Sequence, residues 1–391
     1  MMDVPMNSVE PLLHIDLEAS SITVVVACIL LLALARHAGA RGGWWAFWGF
    51  AAAALLATIS LRADVALVTL GITGLVQAWF TQGSTRLGAL GLALSGVGTV
   101  VAGLLHGQGA HDAAFVASVA ALVIRVGPWP LHGAMARLAT RAMSEQVRQL
   151  GLLLPLLFVH LRHLDHLDLA VQWSVPMVQW GAASMAVAAL ASIGATTLGG
   201  YYVFYSSAHG AVIIMACGAA GAGHEAAALF AGITVCVATG GQGAMVAAVR
   251  RHVGERALST AGGLVHSMPR TAALFLVFGG AGVGLPATAA FVADDLMLHA
   301  LWQESPVSTA AVIVAAALLA IATWSVTTAV FYGPDPGWSD RDLDPSERFT
   351  ATACLMVMVV LGFAPRLLLD PALTILKPPP SVSVTAPDVA R

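Results

Sequence analysis

The chain has 391 residues, of which 58% are hydrophobic and only 10% charged, with a formal net charge of −3. Soluble domains carry about 25% charged residues, so a soluble globular protein is excluded, and the near-neutral balance points to no nucleic-acid partner. What remains is a chain whose apolar stretches repeatedly reach the roughly 20 residues needed to cross a bilayer.

Residues 1–19 are acidic (Asp3, Glu10, Asp16, Glu18) and lack Lys and Arg, which is not the pattern of a secretory signal peptide. Apolar runs then follow at 20–36, 43–61, 65–82, 86–106, 111–131, 146–163, 172–196, 200–221, 225–248, 270–300, 306–332 and 350–369. Only helices and closed barrels satisfy backbone polar groups in lipid. Barrel strands would alternate over about ten residues, whereas these runs are longer and evenly apolar. The expectation is an all-α polytopic membrane protein of about 12 transmembrane helices, with a bundle over 20–370. The remainder, 371–391, ends in KPPPSVSVTAPDVAR, a Pro- and Ser-rich tail expected to be flexible. Cys28, Cys217, Cys236 and Cys354 stand singly in apolar runs and read as small core residues rather than metal ligands.

The basic residues set an orientation. With the N-terminus outside, Arg36, Arg41, Arg86, Arg137, Arg141, Arg148, Arg250, Arg251, Arg256, Arg270, Arg341 and Arg348 fall on the cytoplasmic side. Arg62, Arg162, Arg366, Lys377 and Arg391 fall outside, and Arg125 lies inside a run. That asymmetry predicts N-out and C-out by the positive-inside rule, in a bacterial inner membrane.

Ionisable residues at membrane depth cost at least ~2.5–3.5 kcal/mol and are functional candidates. Arg125 precedes Gly127, Pro128 and Pro130 in AALVIRVGPWPLHGA, 120–134. Asp294 and Asp295 follow Gly284 and Pro286 in GLPATAAFVADDLML, 284–298. Two Gly/Pro-interrupted helices beside charge, one in each half, mark an ion path between structural repeats. The alternative is that each run ends there and its charges reach a headgroup. His132 follows the first interruption, His209 lies in YYVFYSSAHGAVII, and His299 comes one turn after the acid pair. Histidine titrates near neutrality and suits a proton relay, although each of these also fits a hydrogen-bonded interfacial residue. His160, His163 and His166 with Arg162, Asp165 and Asp168 read as a solvated exit loop. Asp335, Asp340, Asp342 and Asp344 read as a solvated acidic loop or docking surface, since calcium-loop spacing is imperfect and the terminal Glu is missing.

Taken together these motifs resemble the antiporter-like membrane subunits of respiratory complex I and their Mrp-type cation/proton antiporter relatives. RVGPWPLHGAMARLATRA (125–142) looks like that family's first broken helix, and YSSAHGAVIIMACGA (205–219) like its Y-S-S-x-x-H-x-G segment. MPRTAALFLVFGGAGVGLPATAAFVADDLML (268–298) looks like its second broken helix. The match covers about 115–332, before residue 65 it is hydropathy alone, and the antiporter-like core is taken as about 65–332. The resemblance implies two inverted five-helix repeats and a chain of buried Lys, Glu and His residues that passes protons. Arg125 stands where the family has a lysine, Asp294 stands at its second ionisable position with Asp295 beside it, and His209 lies at or next to its histidine.

The chain departs from that pattern in three spans. Its 65–82 run has no glutamate, 149–161 offers only His160, and 225–248 carries Thr234, Thr239 and Gln242 in place of a His and a Lys. Arginine also keeps its proton, whereas lysine titrates readily. The expected function is the membrane subunit of a proton- or cation-translocating complex resembling an NADH:quinone oxidoreductase subunit, with other membrane subunits and lipids as partners. Alternatives are a non-pumping scaffold subunit of such a complex and a membrane partner in inorganic-carbon (bicarbonate) accumulation. No nucleotide, flavin or iron–sulfur pattern is present, so no cofactor or metal is expected and electron chemistry would belong to partners.

Overall fold

The structure, a computed structural model, describes residues 19–375 apart from 166, 256–257, 259–261, 335–336 and 338–341. The acidic residues of 1–18, His166, Arg256, Asp335, Asp340, Arg341 and the Pro-rich tail lie outside the described residues. Among the described residues the chain forms fifteen α-helices and no strand. They are α1 (Ala19–His37), α2 (Gly43–Ile59), α3 (Ala63–Thr81), α4 (Arg86–Gly107), α5 (His111–Val126), α6 (Gly133–Arg141), α7 (Met143–His163) and α8 (Asp168–Ile193). There follow α9 (Leu198–Gly221), α10 (Glu225–Val253), α11 (Pro269–Ala281), α12 (Ala289–Glu304), α13 (Pro306–Phe331), α14 (Pro345–Phe363) and α15 (Arg366–Ile375).

Every apolar run falls on helix, yet the helices outnumber the runs. The 270–300 run divides into α11 and α12, while α6 (GAMARLATR) and α15 (RLLLDPALTI) are short amphipathic segments that an apolar-window reading passes over. By length and composition, α3, α4, α8, α9, α10, α13 and α14 are apolar enough to cross a membrane, and α1 and α2 are shorter apolar helices.

The bundle is organised around α9 and α10. Helix α10 is buried along its whole apolar window and α9 along most of its own. Both are rich in Gly and Ala, which lets neighbours approach to backbone contact where no hydrophobic drive distinguishes helix from lipid. The α8–α9 seam shows this most plainly. A Cβ placed on Gly218 would lie 2.8 Å from the Ser174 carbonyl, and one on Gly221 would lie 2.6 Å from that of Ala170. The four cysteines are buried and free, as small core residues.

The two ends of the bundle differ in charge. Arg41, Arg141, Arg250 and Arg251 line one cavity of about 410 Å³, and Arg86, Arg137 and Arg141 line a second that shares Ser84 with it. This arginine-rich end collects residues that the positive-inside rule assigns to a single side. Several exposed tryptophans lie near helix ends: Trp44 and Trp79 toward the arginine-rich end, Trp173 and Trp302 toward the other. Such residues favour membrane–water interfaces. From Pro306 to Trp324 helix α13 rises about 27 Å, close to the ~30 Å of a hydrocarbon core.

The acidic loop before α14 is not simply solvated. Asp342 accepts from Arg270 N–H (2.7 Å) and Thr271 Oγ1–H (2.7 Å), capping α11, and Glu347 accepts from Asp344 N–H at the start of α14.

Gly221→Val should push α8 from α9 and lower stability by about 1–3 kcal/mol, the usual cost of overpacking. Gly49→Ala, where an added Cβ meets nothing within 4 Å, should not. Thermal unfolding of the two variants in the same detergent checks the difference.

Candidate functional site

The first interruption lies between α5 and α6. Gly127 takes φ 61°, and Pro128 and Pro130 lack amide hydrogens, so the helical ladder cannot continue. Four of the backbone groups at the break find partners from other helices. Gln149 Nε2–H of α7 donates to the Arg125 carbonyl (2.6 Å), and Ser207 Oγ–H of α9 donates to that of Gly127 (3.2 Å). Trp129 N–H donates to Ser184 Oγ (2.6 Å) on α8, and Trp180 Nε1–H donates to the Trp129 carbonyl (2.9 Å). Sequence reading missed these partners, of which only Ser207 lay in a recognised motif.

The second interruption separates α11 from α12. Gly284 takes φ 81° and Ala287 φ 69°, with Pro286 between them. Here too α9 supplies the partners. Tyr205 Oη–H donates to the Phe278 carbonyl (3.3 Å), and His209 Nε2 lies 2.7 Å from the Gly282 carbonyl. His209 Nδ1 lies 2.8 Å from the Tyr205 carbonyl. A neutral imidazole has one N–H and serves one of these acceptors at a time; the protonated ring serves both. His209 is 3% exposed, its ring lies 4.3 Å from the Tyr205 ring and tilted 39° to it, and its side chain reaches the second break directly.

Helix α9 therefore holds both breaks at once, through Ser207 on one and His209 on the other. It also touches the first break by backbone, since a Cβ on Gly210 would lie 2.6 Å from the Val126 carbonyl.

Two buried polar tracks lead from the arginine-rich end toward the breaks. On α7, the Glu145–Arg148 ion pair (3.0 Å) is followed by Gln146 and Gln149, and Gln77 Nε2–H of α3 donates to the Glu145 carbonyl (3.0 Å). This track ends at Arg125. On α9 and α10, Tyr201 Oη pairs with Thr323 Oγ1 (2.9 Å), Tyr202 Oη–H donates to the Thr239 carbonyl (3.0 Å), and Gln242 is fully buried nearby. This track ends at Tyr205 and His209.

The remaining predicted residues separate. Arg125 is 3% exposed and its Nε–H donates to Ser95 Oγ (3.3 Å); no carboxylate pairs with it among the described residues. Its guanidinium occupies the room left by Gly74, where an added Cβ would stand 2.9 Å from the nearest nitrogen. His132 is half-buried at the start of α6, with Nδ1 enclosed. Asp294 bends back over the second break, its Oδ2 2.6 Å from where a Cβ of residue 284 would be, which together with the positive φ requires glycine there. Asp295 and His299 point outward, 67% and 77% exposed, 3.6 Å apart. The chain's own helices do not enclose the acid pair; it lies on the outside of this bundle. The two acids diverge because neighbours on a helix project about 100° apart. The level of Asp294 follows from α12. It precedes Trp302 by eight residues, about 12 Å along the axis, and Glu304 of the same helix accepts from Ser174 Oγ–H of α8 (2.7 Å), fixing that end.

The family described as "NADH:quinone oxidoreductase/Mrp antiporter, TM" matches residues 51–320. Among solved structures, the archaeal membrane-bound sulfane sulfur reductase, a respiratory membrane complex, has a chain 17% identical, over 94% of this chain and 68% of that one, with TM-score 0.76. A chain of the Mrp complex from Dietzia sp. DQ12-45-1b is 15% identical over 93% and 84%, TM-score 0.73. A chain of respiratory complex I from Thermus thermophilus is 18% identical over 93% and 85%, TM-score 0.74. At these identities the likeness is one of fold.

Removing the hydroxyl of Ser207 or the ring of His209 should leave a buried carbonyl unsatisfied. Ser207→Ala and His209→Ala are each expected to destabilise by about 1–3 kcal/mol. Ser206→Ala, whose hydroxyl returns to its own helix at Val203, should cost less. Denaturation of the three variants in nanodiscs measures this ranking.

Proposed function

We propose, from the premise that this chain belongs to the NADH:quinone oxidoreductase/Mrp antiporter transmembrane family, that it is the membrane subunit of a proton- or cation-translocating complex. The observation that carries the reading is the pair of interruptions held by one helix, with an ionisable group at each. Interrupted backbone is tolerated at membrane depth only against protein or water, and half-helices beside charge are where transporters place their ions.

In this reading the chain makes twelve crossings, with the two breaks related by inverted repeats and the arginine-rich end in the cytoplasm of a bacterial inner membrane. Protons approach along the α9–α10 track, reach His209, and pass by way of the second break to Asp294. Protonation of His209 adds a second N–H, which tightens its hold on the Gly282 carbonyl; its loss relaxes that hold. Arg125 keeps its charge and sets the local potential, and His132 lies at the mouth of the first break. Asp294 and Asp295 lie near mid-depth on an uncovered face, where lipid would charge heavily for them. A neighbouring membrane subunit with a polar or basic residue at that level covers them. The similar solved chains belong to structures named as respiratory and Mrp complexes, which supports a partnered subunit.

A second reading, a non-pumping scaffold, is favoured by one observation. Arg125 rests on Ser95 rather than a carboxylate, and the buried centre of α10 offers Thr239 and Gln242 in place of titratable groups.

Asp294→Asn should abolish proton or cation flux in proteoliposomes carrying the whole complex, while Asp295→Asn should chiefly reduce co-purification of the neighbouring subunit. If the complex keeps full flux with both aspartates neutralised, this chain is its non-pumping scaffold subunit.

A further inference from the structure

Away from both breaks, at the end of the bundle opposite the arginines, three side chains meet that the path above does not use. Sequence reading expects His160 and Asp165 in a solvated exit loop. They are instead 0% and 3% exposed. Ser118, on α5 and also fully buried, sits with Oγ 3.0 Å from His160 Nδ1. The Phe115 ring lies against the imidazole, centroids 5.4 Å apart. On the other side of the ring, Nε2 faces Asp165 Oδ1 at 3.9 Å. His160 Nε2 and both carboxylate oxygens of Asp165 are buried without a hydrogen-bond partner among the described residues.

An ionised carboxylate left in that condition carries a heavy desolvation penalty, and so does an imidazolium. Burial, and then the Glu225 carboxylate in the first turn of α10, hold the Asp165 carboxyl well above the usual carboxylate range. Cys217 of α9 also faces it, and Arg162 and His163 occupy the same last turn of α7. Among the described residues, no hydrogen bond reaches either Asp165 carboxylate oxygen.

We propose that Ser118, His160 and Asp165 form a buried proton-binding site in which one proton is shared between Asp165 Oδ1 and His160 Nε2. This rests on the translocation reading only for its use, as the terminus of the ion path remote from the arginine-rich end. The site has two states of equal net charge. In one, Asp165 is a neutral acid whose O–H donates to Nε2, and Nδ1–H donates to Ser118 Oγ. In the other, the proton has left Oδ1 for Nε2, giving a carboxylate beside an imidazolium that still donates to Ser118 through Nδ1. The Ser118 contact fixes the orientation of the ring in both, so Nε2 is always the atom that faces the acid. The gap of 3.9 Å is longer than a hydrogen bond and closes by a small rotation of either side chain or through one water.

The test is infrared spectroscopy of the complex in proteoliposomes at neutral pH, comparing wild type with Asp165→Asn and His160→Gln, beside flux on the same samples. The expected result is a protonated-carboxyl stretch that is lost in Asp165→Asn and shifted in His160→Gln, with loss of flux in both. Thermal unfolding shows whether each variant is folded; the near-isosteric asparagine is chosen for that reason, and Ser118→Ala, expected to shift the band without removing it, serves if Asp165→Asn does not fold. A wild-type spectrum whose carboxyl band survives Asp165→Asn unchanged overturns the site, as does a band insensitive to Ser118→Ala and His160→Gln. A band lost in Asp165→Asn from a complex that shows no flux at all leaves the site standing and sinks the translocation reading instead.

Discussion

A carbonyl released from a helix inside a membrane has no water to turn to, and each one left unpaired costs several kcal/mol. That constraint governs this molecule. Two of its helices stop and restart at depth, and the structure persists because α9 passes between them and donates to both. Ser207 meets Gly127, and Tyr205 and His209 meet Phe278 and Gly282. The donor positions follow from helical period: 205 and 209 are four apart and share a face, while 207 projects to the opposite side. One helix thus presents one set of donors to each half of the protein.

The partners are not equivalent in chemistry. Ser207 donates whatever the pH, so the first break is held constantly. His209 carries either one N–H or two, so the hold on the second break varies with its proton. An interruption beside a fixed cation, Arg125, is paired with an interruption beside titratable groups, His209 and Asp294. The fixed side resembles a scaffold and the titratable side a path, which is why the chain supports both readings of its family's fold. Asp294 completes the titratable side only when the outer face of α12 is covered, so the unit of function is the assembly.

Much of this was legible in the sequence. Composition alone excluded a soluble fold, and each apolar run became helix. The breaks were readable because Gly127-Pro128 and Gly284-Leu285-Pro286 carry the positive-φ and donor-less residues that a helix cannot absorb. Three things were not legible. The first was the partners of the breaks, because Gln149, Ser184 and Trp180 reach them by tertiary packing that no local spacing records. The second was the enclosure of His160 and Asp165: a stretch of His, Arg and Asp reads as solvated by composition, and only the packing of Phe115 and α10 against it says otherwise. The third was the facing of the acid pair, since a helix that breaks can restart with a rotation about its axis, and the apolar pattern of α12 is too even to fix which side turns inward.

The central claim is that the two interruptions are genuine breaks in the helical ladder whose backbone is held by α9. Amide hydrogen exchange of the complex in nanodiscs tests it most directly. The account predicts faster exchange at the amides within 127–132 and 282–288 than along the protected 198–221, and faster exchange still within 282–288 when His209 is replaced. Exchange at both segments as slow as in α9 would mean continuous helix at those positions, and would contradict the account.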